Sequence, residues 1–336
     1  MATQSIKNPT LLDWAKTRDP DGKTADIVEM LSQDNEILMD MPFIEGNLPT
    51  GHRFSQRTGL PTTYYKKINQ GVPASKSTTT QIQEEAAILA ARSEVDVDLA
   101  TLENDMQAYR LQEAEAFVES MSQQAAETLI YGSETDAYAG LANRYNDLSA
   151  GNAQNILDAG GTGSDNTSIW LCGWGENTVA GIFPRGSSAG LEHKAKDNCD
   201  AYDEDNNIYE AHRDDFKWKH GLMLKDWRYV ARIANVDVSD LEAGTGTQAP
   251  TAATAIIKLM SRSIDRLPKA GGTRRVFYAN RTVLSLLRIA ALDKSSSAVT
   301  VEEGLNQFGD TIEVTRFLGI PVRCVDRILN TEAQVQ

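Results

Sequence analysis

Residues 99–132, from Leu99 to Gly132, read LATLENDMQAYRLQEAEAFVESMSQQAAETLIYG. No Pro or Gly falls between Ala100 and Tyr131, and the stretch is rich in Glu, Gln, Ala, Leu and Met, which lose little side-chain freedom in a helix. Leu99, Leu102, Met106 and Tyr109, then Leu111, Ala114, Phe117, Val118, Met121, Ala125 and Leu129, recur at steps of three and four and predict one apolar stripe. The other side is acidic: Glu103, Asp105, Glu113, Glu115, Glu119 and Glu127 face a single cation, Arg110. Gly132 supplies a left-handed stop. At 1.5 Å per residue the predicted rod is about 48 Å long, far beyond the usual three turns. Such a rod braces a wide, thin body or, failing that, crosses the core of a globular enzyme.

Upstream, residues 1–46 read as an extended arm with short helices at Leu11-Leu-Asp-Trp-Ala-Lys and from Thr24 to Leu31, a turn at Asp19-Pro-Asp-Gly between them. Pieces this short bury too little to stand alone and must lie on this subunit or another. Residues 47–98 read as a long two-stranded loop, through His52-Arg-Phe-Ser-Gln-Arg-Thr and Tyr64-Tyr-Lys-Lys-Ile to a Ser/Thr-rich tip and back from Gln81 to Asp98. Its outgoing side and tip are basic (Arg53, Arg57, Lys66, Lys67, Lys76), and its return is acidic (Glu84, Glu85, Glu94, Asp96, Asp98). A hairpin of this length is marginal in water, so it needs support from another molecule.

Downstream, Ser168-Ile-Trp-Leu-Cys-Gly-Trp, Thr178 to Pro184, Phe216 to Leu224 and Arg228 to Val236 alternate as an antiparallel sheet would, around a loop-rich acidic section from Glu192 to Asp215. Ala243-Gly-Thr-Gly-Thr-Gln-Ala-Pro reads as a linker. A helix from Thr251 to Leu267, a buried strand at Arg275–Asn280, a helix from Arg281 to Leu292 and a final strand pair (Thr311–Thr315 and Phe317–Asp326) follow.

The 336 residues carry a formal net charge of -14, so no basic face of the kind that binds nucleic acid is evident. Cys172, Cys199 and Cys324 are odd in number and far apart, which fits reduced buried thiols. The first residues lack the apolar core of a signal peptide and no stretch reaches membrane-span length, so a cytoplasmic product is expected. His52, His193, His212 and His220 form no zinc-hydrolase pattern, and His193 with Cys199 is a poor pair of ligands. Asp203-Glu-Asp-Asn-Asn-Ile with Asp214 echoes a calcium loop but has Ile208 where the turn needs Gly. The Gly-rich runs at 160–163 and 244–246 lack the P-loop context, and no GxSxG elbow occurs. No catalytic, cofactor or metal site is assigned.

The order of parts, with Arg57-Thr-Gly-Leu-Pro in the long loop, Arg281 after Tyr278-Ala-Asn, and Phe317-Leu-Gly-Ile-Pro-Val followed by Asp326, resembles the major capsid proteins of tailed, in particular short-tailed, double-stranded DNA bacteriophages. The resemblance implies an α+β Hong Kong 97-like capsid fold: an N-arm (1–46), an E-loop (47–98), a P-domain (99–242) with a spine helix over 99–132 and a β-sheet, and an A-domain (243–336). Because the strands of 168–236 precede the helix, strand and helix of 251–292, a permuted order of P-domain strands and A-domain is expected.

The resemblance further implies a structural, non-enzymatic subunit that self-assembles as hexamers and pentamers into an icosahedral virion shell. Its implied partners are scaffolding, portal and cement or decoration proteins, and double-stranded DNA enclosed without sequence-specific binding; no cofactor or membrane is implied. Arg53, Arg57, Lys66 and Lys67 are candidate contacts to Glu113, Glu115 and Glu119 of a neighbouring subunit. The alternatives are an encapsulin-like nanocompartment shell and an acidic hydrolase using carboxylates of the β-rich half.

Overall fold

A computed structural model describes residues 33–101, 106–202, 205–243, 249–268, 272–292, 299–305 and 311–336. The two short helices expected within residues 1–32 lie outside the described residues, as does most of the expected linker. The strands are β1 (Phe43–Glu45), β2 (Gly51–Gly59), β3 (Thr78–Asp96), β4 (Ile156–Asp158), β5 (Asn166–Trp174), β6 (Val179–Phe183), β7 (Leu191–Tyr202), β8 (Ile208–Leu224), β9 (Val230–Asp237), β10 (Arg274–Ala279), β11 (Val299–Leu305), β12 (Thr311–Phe317) and β13 (Ile320–Cys324). The main helices are α1 (Met106–Tyr131), α2 (Ala249–Arg266) and α3 (Arg281–Leu292).

All 13 described strands join one sheet in the order β11-β12-β13-β10-β5-β6-β8-β3-β2, with β1 on β6, β7 on β8, and β9 between β4 and β5. The sheet is mixed rather than antiparallel: β10 with β13, β4 with β9, β1 with β6 and β5 with β6 are parallel pairs. Period-two alternation explains its centre. On β5, Trp170, Cys172 and Trp174 enter one core with Leu129 and Ile130 of α1, while Ile169 and Leu171 enter a second with Met260 of α2 and Leu287 of α3. Strand β10 divides the same way, Tyr278 to the first core and Phe277 to the second. Both strands are therefore covered on both faces, which is why they read as nearly unbroken apolar runs.

Strand pairing and core packing cross residue 243, where the sequence places a division. Strands β5 and β9, assigned from the sequence to a separate sheet, lie beside β10 (Leu171 opposite Phe277) and share a core with α2 and α3. Segment order along the chain is as read, but the two groups form one layered unit because β10 inserts next to β5. The second grouping is α1 laid on β3, β7 and β8. Residues 33–46 rest on their own subunit: Ile37 and Met41 are buried in the first core, and the Asp40 carboxylate meets Arg274 at 2.6 Å.

The long helix forms, with a short helix at Val97–Thr101 before it and residues 102–105 outside the described set. Among its described side chains the buried ones, Met121, Ala125, Ala126, Leu129 and Ile130, lie toward the C-terminal end; Leu111 and Val118 are exposed. Only that end is enclosed by the first core. The other half meets one sheet face, where the Phe117 ring stacks on Phe216 at 5.8 Å and Arg110 donates two 3.0 Å bonds to Asp214. Gly132 ends the helix without a left-handed φ, contrary to expectation. A side chain there would collide with the carbonyl oxygens of Thr128 and Tyr138. At α3 the Asn280 side chain caps the first turn by accepting from the Val283 N–H at 3.0 Å.

The acidic section at 192–215 is not loop-rich but the hairpin of β7 and β8. Composition registered its charge and missed its alternation. Asp214, weighed as a calcium ligand, faces α1 and is occupied by Arg110 and by His193 at 2.9 Å.

A buried ion pair ties the layers together. Arg232 on β9 meets Glu332 at 2.8 Å, with both side chains about 95% covered. The guanidinium also donates to the Ser168 hydroxyl at 3.0 Å and the Tyr145 carbonyl at 2.7 Å, and lies 5.0 Å over Trp170. Glu332 accepts in turn from the hydroxyls of Tyr131 and Ser168. In the first core His220 hydrogen-bonds the Tyr138 hydroxyl at 2.9 Å, and burial lowers its pKa from 6.5 to about 4.

Glu332→Ala strands the Arg232 guanidinium and is expected to cost about 3–5 kcal/mol, read as a lower urea midpoint of the dissociated subunit; the joint change Arg232→Met with Glu332→Leu is expected to cost clearly less. Between pH 6.5 and about 4 the unfolded chain takes up a proton that native His220 refuses. Stability therefore falls as pH drops through that window, by up to about 3 kcal/mol from this group. His220→Phe is expected to flatten that part of the urea-midpoint profile by one proton.

Candidate assembly surfaces

The long hairpin is built from its root outward. Asn47 clamps the entry, its side chain donating to the Arg53 carbonyl at 2.6 Å and accepting from the Arg53 N–H at 2.7 Å. Strands β2 and β3 then pair from Gly51 opposite Glu85 to Gly59 opposite Thr78, with a bulge between Arg57 and Gly59. Residues 86–96 of β3 pair with β8, and Arg144 grips Glu84 through two 2.7 Å bonds. The expected need for outside support thus applies only to the distal half. Tyr64-Tyr-Lys-Lys-Ile, read as extended strand, lies in a strandless loop over 60–77, with Pro61 at its second position. There Tyr65 and Ile68 are essentially fully exposed, and Leu60, Tyr64 and Val72 are more than half exposed. Exposed apolar side chains grouped in this way make the loop a candidate interaction surface. Their density between Pro61 and Pro73 was the sequence signal, passed over because charge drew the reading.

Of the basic candidates, Arg53 is engaged inside the hairpin with Gln83 at 2.7 Å, while Arg57, Lys66 and Lys67 are exposed. Of the acidic ones, all on α1, Glu115 is exposed and Glu113 half-buried. Glu119 accepts from the Gln33 N–H at 2.9 Å and from the Gln123 amide at 2.7 Å, so it is committed within its own subunit.

The displaced titratable groups serve packing. Burial pushes Asp214 and Asp326 up, but Arg110 and His193 for the first and Arg281 for the second hold both carboxyls below the ordinary range. Burial raises the Cys172 thiol and carries Cys324 to about 12; all three cysteines are unpaired, with Cys199 and Cys324 half-buried rather than fully so. Among the described residues no three His, Cys, Asp or Glu side chains gather as metal donors, and no helix is long and apolar enough to cross a membrane.

The family profile described as Major capsid protein GP7 matches residues 19–336. A chain in the near-atomic cryo-EM structure of bacteriophage Epsilon15 is 31% identical, with 100% of this chain and 99% of that chain covered and a TM-score of 0.78. A chain of Mycobacterium phage Adephagia is 10% identical over 67% of this chain and 97% of that one, with a TM-score of 0.44. One from the SrpI encapsulin complex of Synechococcus elongatus is 9% identical over 64% and 91%, at 0.42. No curated protein sequence matches. With the profile spanning almost the whole sequence and the Epsilon15 likeness running the full length of both chains, this chain belongs to the phage major capsid protein family GP7, and its α+β fold is of the Hong Kong 97-like type.

Proposed function

We propose that the subunit is the repeating wall tile of an icosahedral virion shell, grouped as hexamers and pentamers around packaged double-stranded DNA. The observation that carries this reading beyond family membership is the 60–77 loop, whose apolar side chains nothing described in the subunit covers. A second copy supplies the cover. A heterologous contact repeated around a ring closes it, and a reaching loop lets one sequence serve slightly different neighbours. Family membership also supports a structural rather than catalytic role, as do the Arg232–Glu332 and Arg110–Asp214 pairs, where charged groups are consumed in holding layers together.

In this reading Arg57, Lys66 and Lys67 of the loop lie against Glu113 and Glu115 on the long helix of the next subunit, each exposed pair contributing about 1 kcal/mol or less. Arg53 and Glu119 act within the subunit, in the hairpin and under the helix. The net charge of -14 suits a wall that encloses phosphate without holding it, so the genome packs and leaves freely. Scaffolding, portal and cement proteins are the further partners that a closed, fillable shell needs.

Negative-stain microscopy and sedimentation of the chain expressed alone or with a scaffold are expected to show uniform shells or closing capsomer rings; a discrete monomer or dimer under every salt condition would overturn the proposal. Replacing residues 61–76 with a two-residue turn is expected to leave a folded subunit with an unchanged circular dichroism spectrum that forms no shells. Lys66→Glu with Lys67→Glu is expected to lower shell yield at low salt, and normal assembly of that variant would remove the loop-to-helix contact from the account.

A further inference from the structure

The sheet formed by β3, β8 and β7 has one face under α1, toward which Asp214 and Phe216 point. Side chains alternate, so Arg213, Asp215, Lys217 and Lys219 of β8 lie on the opposite face. Strand register adds Arg92 and Lys194 beside Asp215, and Ala90 and Glu192 beside Lys217, with Ile88 opposite Lys219; Glu192 accepts from the Ser188 hydroxyl at 3.1 Å, and the cations on this face still outnumber its carboxylates. Part of this charge is neutralised: Arg92 and Lys196 share Asp215 at 2.6 and 3.0 Å, and Arg213 meets Glu94 at 2.8 Å. Lys194, Lys217 and Lys219 have no carboxylate within ion-pair distance among the described residues. In a chain of net charge -14 this is a local cationic face, with Ile88, 58% exposed, on its floor.

The far end of the same hairpin carries the opposite character on the opposite face. Asp200 sits directly across from Glu210, and Tyr202 directly across from Ile208. Like charges set opposite one another on adjacent strands are destabilising, and neither carboxylate has a cation at ion-pair distance among the described residues. Tyr202 and Ile208 are 60% and 63% exposed. Ile208 and Glu210 share the parity of Asp214 and Phe216, so this surface lies on the α1 side of the sheet, beyond the sheet's contact with Phe117.

We infer that the β7–β8 hairpin end of one subunit laps over the cationic face of the next, Asp200 and Glu210 meeting Lys194, Lys217 and Lys219 while Tyr202 and Ile208 cover Ile88 and Ala90. The two surfaces belong to one chain, carry opposite charge, and lie on opposite faces of one sheet. A lapped contact needs that arrangement, because the underside of one copy rests on the upper side of the next. The contact is heterologous, so repetition continues around a ring until it closes. This rests on the shell reading for its biological meaning, and it adds a second contact, independent of the 60–77 loop. Electrostatic matching fixes register and suppresses wrong pairings more than it adds affinity.

The test is charge exchange, read by sedimentation velocity of subunits at low ionic strength, which registers association without a closed shell. The cationic face is reversed (Lys194→Glu, Lys217→Glu, Lys219→Glu), the hairpin end is reversed (Asp200→Lys, Glu210→Lys), and the two sets are combined. All five positions are exposed or half-exposed, and thermal unfolding of each variant checks the fold. Each single set is expected to weaken self-association by about tenfold or more, and the combined variant to recover most of it. Unchanged association in either single set, or loss without recovery in the combination, would overturn the inference, the latter by giving the lysines to another acidic partner. An unaltered chain that does not self-associate at low salt would overturn it as well. Microscopy of the same samples reads shell closure separately: association that obeys the exchange but never closes would count against the shell and leave the lapped contact standing.

Discussion

The double burial of β5 is the constraint on which the rest of the subunit depends. A strand with Trp170, Cys172 and Trp174 on one side and Ile169 and Leu171 on the other must be roofed twice. One roof is the pair α2 and α3. The other is assembled from the C-terminal turns of α1 and the segment around Tyr138 and Tyr145, with residues 325–336 passing beneath. These pieces come from two distant stretches of chain, and Arg232 with Glu332 fastens them where β9, β5 and the long helix converge. A buried pair of this kind adds little net stability but makes every misplacement of its neighbours costly, since either charge left alone is unsupported.

From that rigid centre two antiparallel excursions project. The β2–β3 hairpin is anchored by Arg144 on Glu84 and by pairing of β3 to β8, then runs free. The β7–β8 hairpin is braced by α1 through the Phe117–Phe216 stack and Arg110, then runs past the helix. Both ends expose apolar side chains, and the two ends carry opposite charge: Lys66 and Lys67 on the first, Asp200 and Glu210 on the second. A stiff body with unsatisfied extremities suits a subunit that completes its structure only among copies of itself. In the proposed shell each exposed ion pair contributes about 1 kcal/mol or less, so that many such contacts together, and no single one, would hold a subunit in place.

Much of this was legible in the sequence, and the failures have physical causes. The long helix, the 47–98 hairpin and α3 from Arg281 to Leu292 were read because period and composition are local signals. Phe216 to Leu224 was read as strand, but the pairing over 192–215 was missed because its carboxylates were counted as solvent-loving, whereas Asp214 and Asp215 are neutralised by Arg110 and Arg92 from a remote helix and strand. The apolar residues of α1 were read as one stripe, of which Leu111 and Val118 are exposed. Periodicity tells which residues share a face and is silent on how far along the helix a partner extends. Of the candidate contacts, Arg57, Lys66, Lys67 and Glu115 are exposed, while Arg53 and Glu119 are held by neighbours in their own subunit.

The sequence by itself determined the local elements, the acidic character and, through the order of its parts, the resemblance to phage capsid subunits. Each of those is encoded within a few residues or in a sum over all of them. Only the tertiary structure decided that β5, β9 and β10 form one sheet rather than two, because strand pairing joins residues about 50 to 110 positions apart and hydrogen-bond register leaves no mark on composition. It also decided which charges are spent inside the subunit and which remain for a neighbour. Lys194 and Lys196 are two residues apart and look alike in sequence; Lys194 stands directly across from Asp215, yet Lys196, set diagonally to it, takes the carboxylate, because the geometry of the sheet and not the chain decides which long side chain reaches.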